Sequence, residues 1–316
     1  MIARTMLFTA LAVLATDASA KTKPAKHAAA ATPSKSVALK PGEVGRWPGL
    51  AAKSCGMDGK VYPSVDSVCY FPMDIEAKIG RHPITVRDQD GKQHKGVAIV
   101  SKVEWPTLKV TLPNDTYIKV SPDNQKREQH ERTALLKFFA AKPGDPEFSL
   151  PLGAPATPLT RNEDDFGSIR TFNDTLQSQH TGRDYPIPEG TPVKAIADGT
   201  VLAAEEYFLT GKSVFIDHGD GMISETFHLS ALDVKPGDKV KRGQEVGKVG
   251  GTGRASGPHL HLGIRWMGAR IDPQPLLDSP LTLHEVGDTP TEAEHKEERA
   301  AEPKEPAKVK SNSDEG

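Results

Sequence analysis

Several things are scarce in this chain of 316 residues: apolar residues make up 36%, aromatic residues 6%, and there are only two cysteines. An excess of either charge is also missing. With 40 Lys and Arg against 42 Asp and Glu, overall charge points neither to a nucleic-acid binder nor to a protein held on a membrane surface. The low apolar fraction implies that parts of the chain stay outside any core. Beyond the first 20 residues no apolar run is long enough to cross a bilayer, so an integral membrane protein is not expected. What is present, 28 Gly and 26 Pro, suits turn-rich β structure. The length suits roughly two domains of about 150 residues each.

The ends read as segments outside the core. Residues 1–20 have Arg4 ahead of the apolar run Met6 to Ala15, then the small-residue site Ala18-Ser19-Ala20, the layout of a secretory signal peptide. No Cys follows that site, so a lipid anchor there is not supported. Residues 21–50 are expected to be a flexible basic spacer, carrying Lys21, Lys23, Lys26, Lys35 and Lys40 among Ala, Pro, Ser and Thr. Residues 284–316 are expected to be a disordered charged tail. From Thr289 onward it has eight acids, five bases and no Leu, Ile, Phe, Met, Trp or Tyr, too little apolar surface to offset the entropy of ordering.

Cys55 and Cys69 are a close pair with no CxxC and no nearby His, so a disulfide is expected, worth about 3 kcal/mol and consistent with export. Residues 51–122 read as a small antiparallel β domain of sandwich or Ig-like type. Ile84 and Val86 alternate with Thr85 and Arg87, and Asp90-Gly91 makes a hairpin turn. Val97 to Val100 follows, and then Leu108, Val110 and Leu112 alternate again. His82 and His94 fall in polar turns and read as surface histidines. Over 123–142 the period changes. Asp123 can cap a linking helix that presents Ala134, Leu135, Phe138 and Phe139, and Pro143-Gly144-Asp145 ends it.

The chemistry lies between Ser168 and Leu277. Leu260, Leu262, Ile264 and Trp266 alternate with His259, His261, Gly263 and Arg265, so a strand here buries one face and sets two imidazoles beside a glycine on the other. His180 and Asp184 add a nitrogen and an oxygen four residues apart. Two neutral imidazoles and a carboxylate would leave Zn²⁺ with a net charge of about +1 and a fourth position for water, the layout of a catalytic rather than a structural site. A structural site would close its shell, usually with thiolates, and both cysteines lie far upstream. A metal-activated water attacking a peptide carbonyl needs a proton acceptor and a donor to the developing oxyanion. HExxH is absent, so histidines would have to do that work. On a strand His228 shares a polar face with Ser224 and Thr226, opposite Ile223, Glu225, Phe227 and Leu229.

These pieces carry a resemblance. His180 to Asp184 reads H-x-x-x-D, and Gly190 to Val201 reads G-T-P-V-x-A-x-x-D-G-x-V. Phe227 to Ser230 reads F-H-L-S and Gly253 to His261 reads G-R-A-S-G-P-H-L-H, all in family order. Together they resemble the lysostaphin-type, or LytM-like, zinc metallopeptidases. The resemblance implies a mostly β duplicated hybrid motif over residues 143–283. It also implies one zinc on His180, Asp184 and His261, with His228 and His259 as the catalytic pair, and peptidoglycan cross-links as substrate in the periplasm or cell envelope. It points to a D-alanyl–diaminopimelate link, with a glycyl bridge as the alternative. Thr226-Phe227-His228 departs from the family's usual Tyr-x-His, and Asn173 to Gln179 matches loosely. His218, in Ile-Asp-His-Gly, reads as structural, and His27, His130, His284 and His295 read as solvated. Two rival readings are an inactive relative that activates a cell-wall amidase and a biotinyl or lipoyl carrier. The first would lack a ligand, and the second has no use for the histidines.

Overall fold

The computed structural model describes residues 35–140, 142–159 and 166–287. The expected signal peptide, the start of the spacer, the tail beyond Gly287, and His27 and His295 lie outside them. The described chain is mostly β.

The flexible spacer expected through residue 50 needs correction, because its last part is folded. Strand β1 (Ser36–Leu39) buries Val37 and Leu39, and β2 (Val44–Trp47) buries its whole length. A period-two apolar pattern lies among the lysines, and it is enough to anchor the segment. β3 (Ala52–Met57), β4 (Lys60–Pro63), β5 (Cys69–Pro72), β6 (Gly80–Asp88) and β7 (Gln93–Val100) follow. The main sheet of this N-terminal domain runs β1-β7-β6-β3-β4. It is antiparallel except at β1, which pairs parallel to β7. Asp90-Gly91 turns the β6–β7 hairpin, with Gly91 at φ 83°. Trp47, Tyr62, Phe71, Ile84 and Val86 fill the core. The Cys55–Cys69 disulfide ties this sheet to β5, which pairs with β2. His82 and His94 stand on strands rather than in turns, bonded to Asp58 at 2.7 Å and Asp88 at 2.8 Å.

A second correction concerns β8 (Thr107–Val110). It does not join the N-terminal sheet but runs parallel to β9 (Ile169–Phe172), which forms a hairpin with β10 (Leu176–Gln179). The alternation of Leu108 and Val110 predicts a strand but does not specify its partner. Between β8 and β9 runs helix α1 (Pro122–Phe139). Its N-cap is Ser121, whose Oγ accepts from the Asn124 N–H, while Asp123 sits in the first turn, where its charge suits the helix dipole.

β11 (Arg183–Tyr185), β12 (Pro192–Lys194), β13 (Gly199–Tyr207), β14 (Gly211–Asp217), β15 (Met222–Leu229), β16 (Ala231–Leu232), β17 (Lys239–Val240), β18 (Glu245–Lys248), β19 (Leu260–Trp266) and β20 (Ala269–Ile271) build the second domain. Its large sheet runs β11-β19-β15-β14-β13-β17 with β20 on β19, and a small sheet runs β12-β18-β16. Val193, Leu229, Val246, Leu260, Leu262 and Trp266 meet in one core between them. The large sheet's other face receives α1, where Leu135, Phe138 and Phe139 rest on Tyr207, Phe215, Ile223 and Phe227.

After α2 (Gln274–Asp278) the chain returns to the first domain. β21 (His284–Glu285) pairs parallel to β2, and Leu283 and Val286 are buried. The disordered tail expected from residue 284 is corrected at its start, because the chain is ordered there through Gly287. Arg270 bonds Asp74 and Glu76, which further locks β20 to the N-terminal domain.

One buried acid sets a pH dependence. Asp220 is 1% exposed; its Oδ2 accepts from Trp266 Nε1 at 3.1 Å and its Oδ1 has no partner. Burial pushes its carboxyl up to about 7, against a smaller lowering by the Trp266 bond. A raised carboxyl pKa means that the fold prefers the protonated acid, so this stability is whole below about pH 4 and is lost as pH rises through 7. Asp220→Asn, compatible with the positive φ of 46° here, should flatten the response. Calorimetry should show the wild-type Tm falling between pH 5 and pH 8 by several degrees more than the variant's. Parallel curves would sink this account.

Candidate active site

β19 sets the first part of the site. Leu260, Leu262, Ile264 and Trp266 are at most 1% exposed and face the core, so His261, Gly263 and Arg265 face the α1 side, with His259 just ahead of the strand. β11 pairs with β19 so that Asp184 stands directly opposite His261, and cross-strand partners share a face. His180 enters one turn before β11. The three side chains converge: His261 Nδ1 is 2.8 Å and His180 Nε2 is 3.1 Å from Asp184 Oδ1, and the two nitrogens are 3.0 Å apart. They are the one group of His, Cys, Asp or Glu among the described residues arranged to hold a metal ion.

Asp184 is the electrostatic centre. Burial works to raise its pKa, but hydrogen bonds from His180 and His261 outweigh this and hold the carboxyl well below its usual range. Its other oxygen, Oδ2, accepts from Arg170 Nη1 at 2.7 Å and lies 3.6 Å from His259 Nε2. One oxygen thus faces the imidazoles while Arg170 holds the other, the kind of support that fixes a ligand's orientation.

His228 reaches the site by a route that alternation does not predict. Opposite β19, Glu225 pairs with Gly263 and Phe227 with His261, so these residues face the site; Ser224 and Thr226 pair with Ile264 and Leu262 and face the core. His228 would follow Ser224 and Thr226 inward, but its backbone is left-handed, φ 62°, which swings the ring out. The shared polar face expected for Ser224, Thr226 and His228 is corrected accordingly. The His228 ring lies 4.9 Å from that of His259 and 6.1 Å from that of His261. Phe227 stacks on His261, with centroids 4.7 Å apart and planes 4° apart.

Both outer histidines have a fixed tautomer. Nδ1 of His228 donates to Thr252 O and Nδ1 of His259 to Gly257 O, each at 2.8 Å, which leaves both Nε2 atoms as acceptors. Burial, followed by the neighbouring His259 and His261, pushes His228 down to about 3, so it is neutral at ordinary pH. His218 is fully buried on the core side, bonded to Asp198 O and Ser224 Oγ, away from this group. His284 is exposed on β21 and His130 lies on α1. The structure therefore brings His180, Asp184, His228, His259 and His261 together. Arg170 was not visible in the sequence, because it acts from a strand outside every motif.

The donor set fits a divalent cation. Two imidazole nitrogens and a carboxylate oxygen suit zinc, and His261 Nε2, buried without a partner, can carry the proton while Nδ1 faces the ion. A cavity of about 380 Å³ between α1 and the sheet is lined by Thr181 and Phe227, which neighbour this group, and by none of its five side chains.

Such a fold and site define a metallopeptidase-like domain, and comparison with known proteins agrees. Residues 178–273 match Peptidase family M23, so the chain carries an M23, LytM-like, domain. Peptidoglycan DD-endopeptidase ShyA of Vibrio cholerae is 45% identical over 82 residues, 26% of this chain and 19% of the relative. DD-carboxypeptidase/endopeptidase Mpg of Neisseria meningitidis is 43% identical over 94 residues, 30% of this chain and 22% of the relative. The chain thus spans about a fifth of the length of the curated relatives it matches. A Pseudomonas aeruginosa protein whose crystal structure bears the peptidase M23 name superposes with a TM-score of 0.56 at 29% identity, covering 75% of this chain and 94% of that one.

Gly182 gives the site a direct test. A Cβ there would lie 2.6 Å from both His261 Nε2 and the Leu262 carbonyl. Gly182→Ala should displace the His261 ring and weaken divalent-cation binding about tenfold or more in a calorimetric titration. Unchanged affinity would show that the ring is not held there.

Proposed function

We propose that this is an exported zinc metalloendopeptidase that hydrolyses peptide cross-links of peptidoglycan in the periplasm or cell envelope. The observation that carries the reading is the convergence of His180, Asp184 and His261 beside two histidines whose Nε2 atoms are held as acceptors. The M23 match and the names of the relatives support the substrate class, and the signal-like N-terminus supports export.

His180, Asp184 and His261 would hold the zinc, which would supply Lewis acidity when bound. Arg170 fixes the orientation of the Asp184 carboxylate. His228 and His259 each turn an Nε2 acceptor to the site, and one of them takes the proton that the attacking water gives up. The imidazolium formed steadies the developing oxyanion and returns the proton to the departing amine as the C–N bond breaks. The pair needs no carboxylate base, consistent with the absence of HExxH.

Purified protein should contain about one zinc per chain, as a single three-ligand site allows, and should solubilise cross-linked peptidoglycan until chelated. His259→Ala should keep its zinc and lose about a hundredfold or more in rate, while His180→Ala should lose the metal. A zinc-free, inactive protein that still stimulates a cell-wall amidase would replace this reading with the inactive-regulator one. The complete ligand set favours the enzyme.

A further inference from the structure

Next to Arg170, the cation that bonds Asp184, sits a second cation whose partners are neutral. Arg254 lies in the loop between β18 and β19, its backbone N–H donating to Leu209 O at 2.8 Å. Its guanidinium covers the Phe172 ring, 4.5 Å from the centroid, and Nη2 donates to Ser178 Oγ at 3.2 Å. Among the described residues no carboxylate pairs with it. Ser178 stands directly opposite Arg170 on the β9–β10 hairpin, so Arg254 lies next to the residue whose guanidinium bonds Asp184. Burial, and then the charge of Arg170, lower the Arg254 pKa. Two guanidinium groups side by side, one of them without an acid, make a place where an anion is stabilised. A planar guanidinium offers a fork that matches a carboxylate.

We propose that Arg254, backed by Arg170, binds a free carboxylate of the substrate on the carbon that carries the scissile nitrogen. The site then selects cross-links whose departing amine has an adjacent carboxylate, as in a D-alanyl–diaminopimelate link, over bridges built from glycine. This rests on the zinc-endopeptidase reading of the same site. Arg254 takes no part in the bond-breaking step, and its contribution is to hold the leaving residue in register with His228 and His259.

The test uses two cross-linked peptide dimers that differ only in that carboxylate, free in one and amidated in the other. The full chain should cut the acid with a kcat/KM about tenfold or more above the amide, mostly through KM. Arg254→Gln should bring the two within about twofold of each other, and Arg254→Lys should keep part of the preference, with Tm measured to confirm that both variants fold. Calorimetric binding of both dimers to the zinc-free protein gives a second readout, in which the acid should bind tighter to wild type and equally weakly with the amide to Arg254→Gln. Equal cleavage of acid and amide by wild type, or equal loss on both in Arg254→Gln, overturns the proposal and leaves the endopeptidase standing. Arg254-dependent binding of the acid without cleavage of either dimer overturns the endopeptidase and upholds the carboxylate site.

Discussion

The site depends on how the two oxygens of Asp184 are divided. Oδ1 faces His180 and His261, and Oδ2 is held by Arg170. A half-buried carboxylate is costly unless its charge is met, and here three groups from three parts of the chain meet it. The contact joins β11 to β19 across the sheet and draws in β9 from the neighbouring three-stranded sheet. Rotating that carboxylate would break the ligand set and the Arg170 bond together, so the geometry is held before any ligand arrives.

How far the sequence could be read follows from this arrangement. The β19 alternation places His261 on the working face because its apolar partners are deeply buried, and burial makes period two strict. The H-x-x-x-D spacing likewise carries its two donors into one place. The same logic misassigns His228, since a single left-handed residue reverses the alternation and side-chain pattern does not record φ. β8 misleads for another reason: Leu108 and Val110 sit on a strand exposed enough that its apolar pattern does not select one sheet over another. Arg170 is invisible because a charge on a short strand becomes meaningful only when that strand lies beside β11.

The face opposite the core is unusually aromatic for a polar site. Phe227 stacks on His261 and meets Phe215, which in turn meets Tyr207 and Phe139 of α1. Arg265 lies over the Phe139 ring and bonds Glu225, so the charges nearest the helix are paired. Such surroundings hold the imidazoles in place by packing and lower the local dielectric. This is also why burial dominates the His228 and His261 proton affinities. The displaced aromatic in Thr226-Phe227-His228 therefore has a role of its own here, as the platform on which the His261 ring rests.

The return of β21 to β2 has a topological consequence. The Gly287 N–H donates to Ser36 O at 2.8 Å, so the first and last described segments meet at one point. A few added residues would join those ends, and the chain could then be reopened at an exposed turn such as Asp90-Gly91, giving a circular permutant with the same sheets. β21 thus ties the two domains together a second time, and severing the connection between β7 and β8 would not by itself let them part.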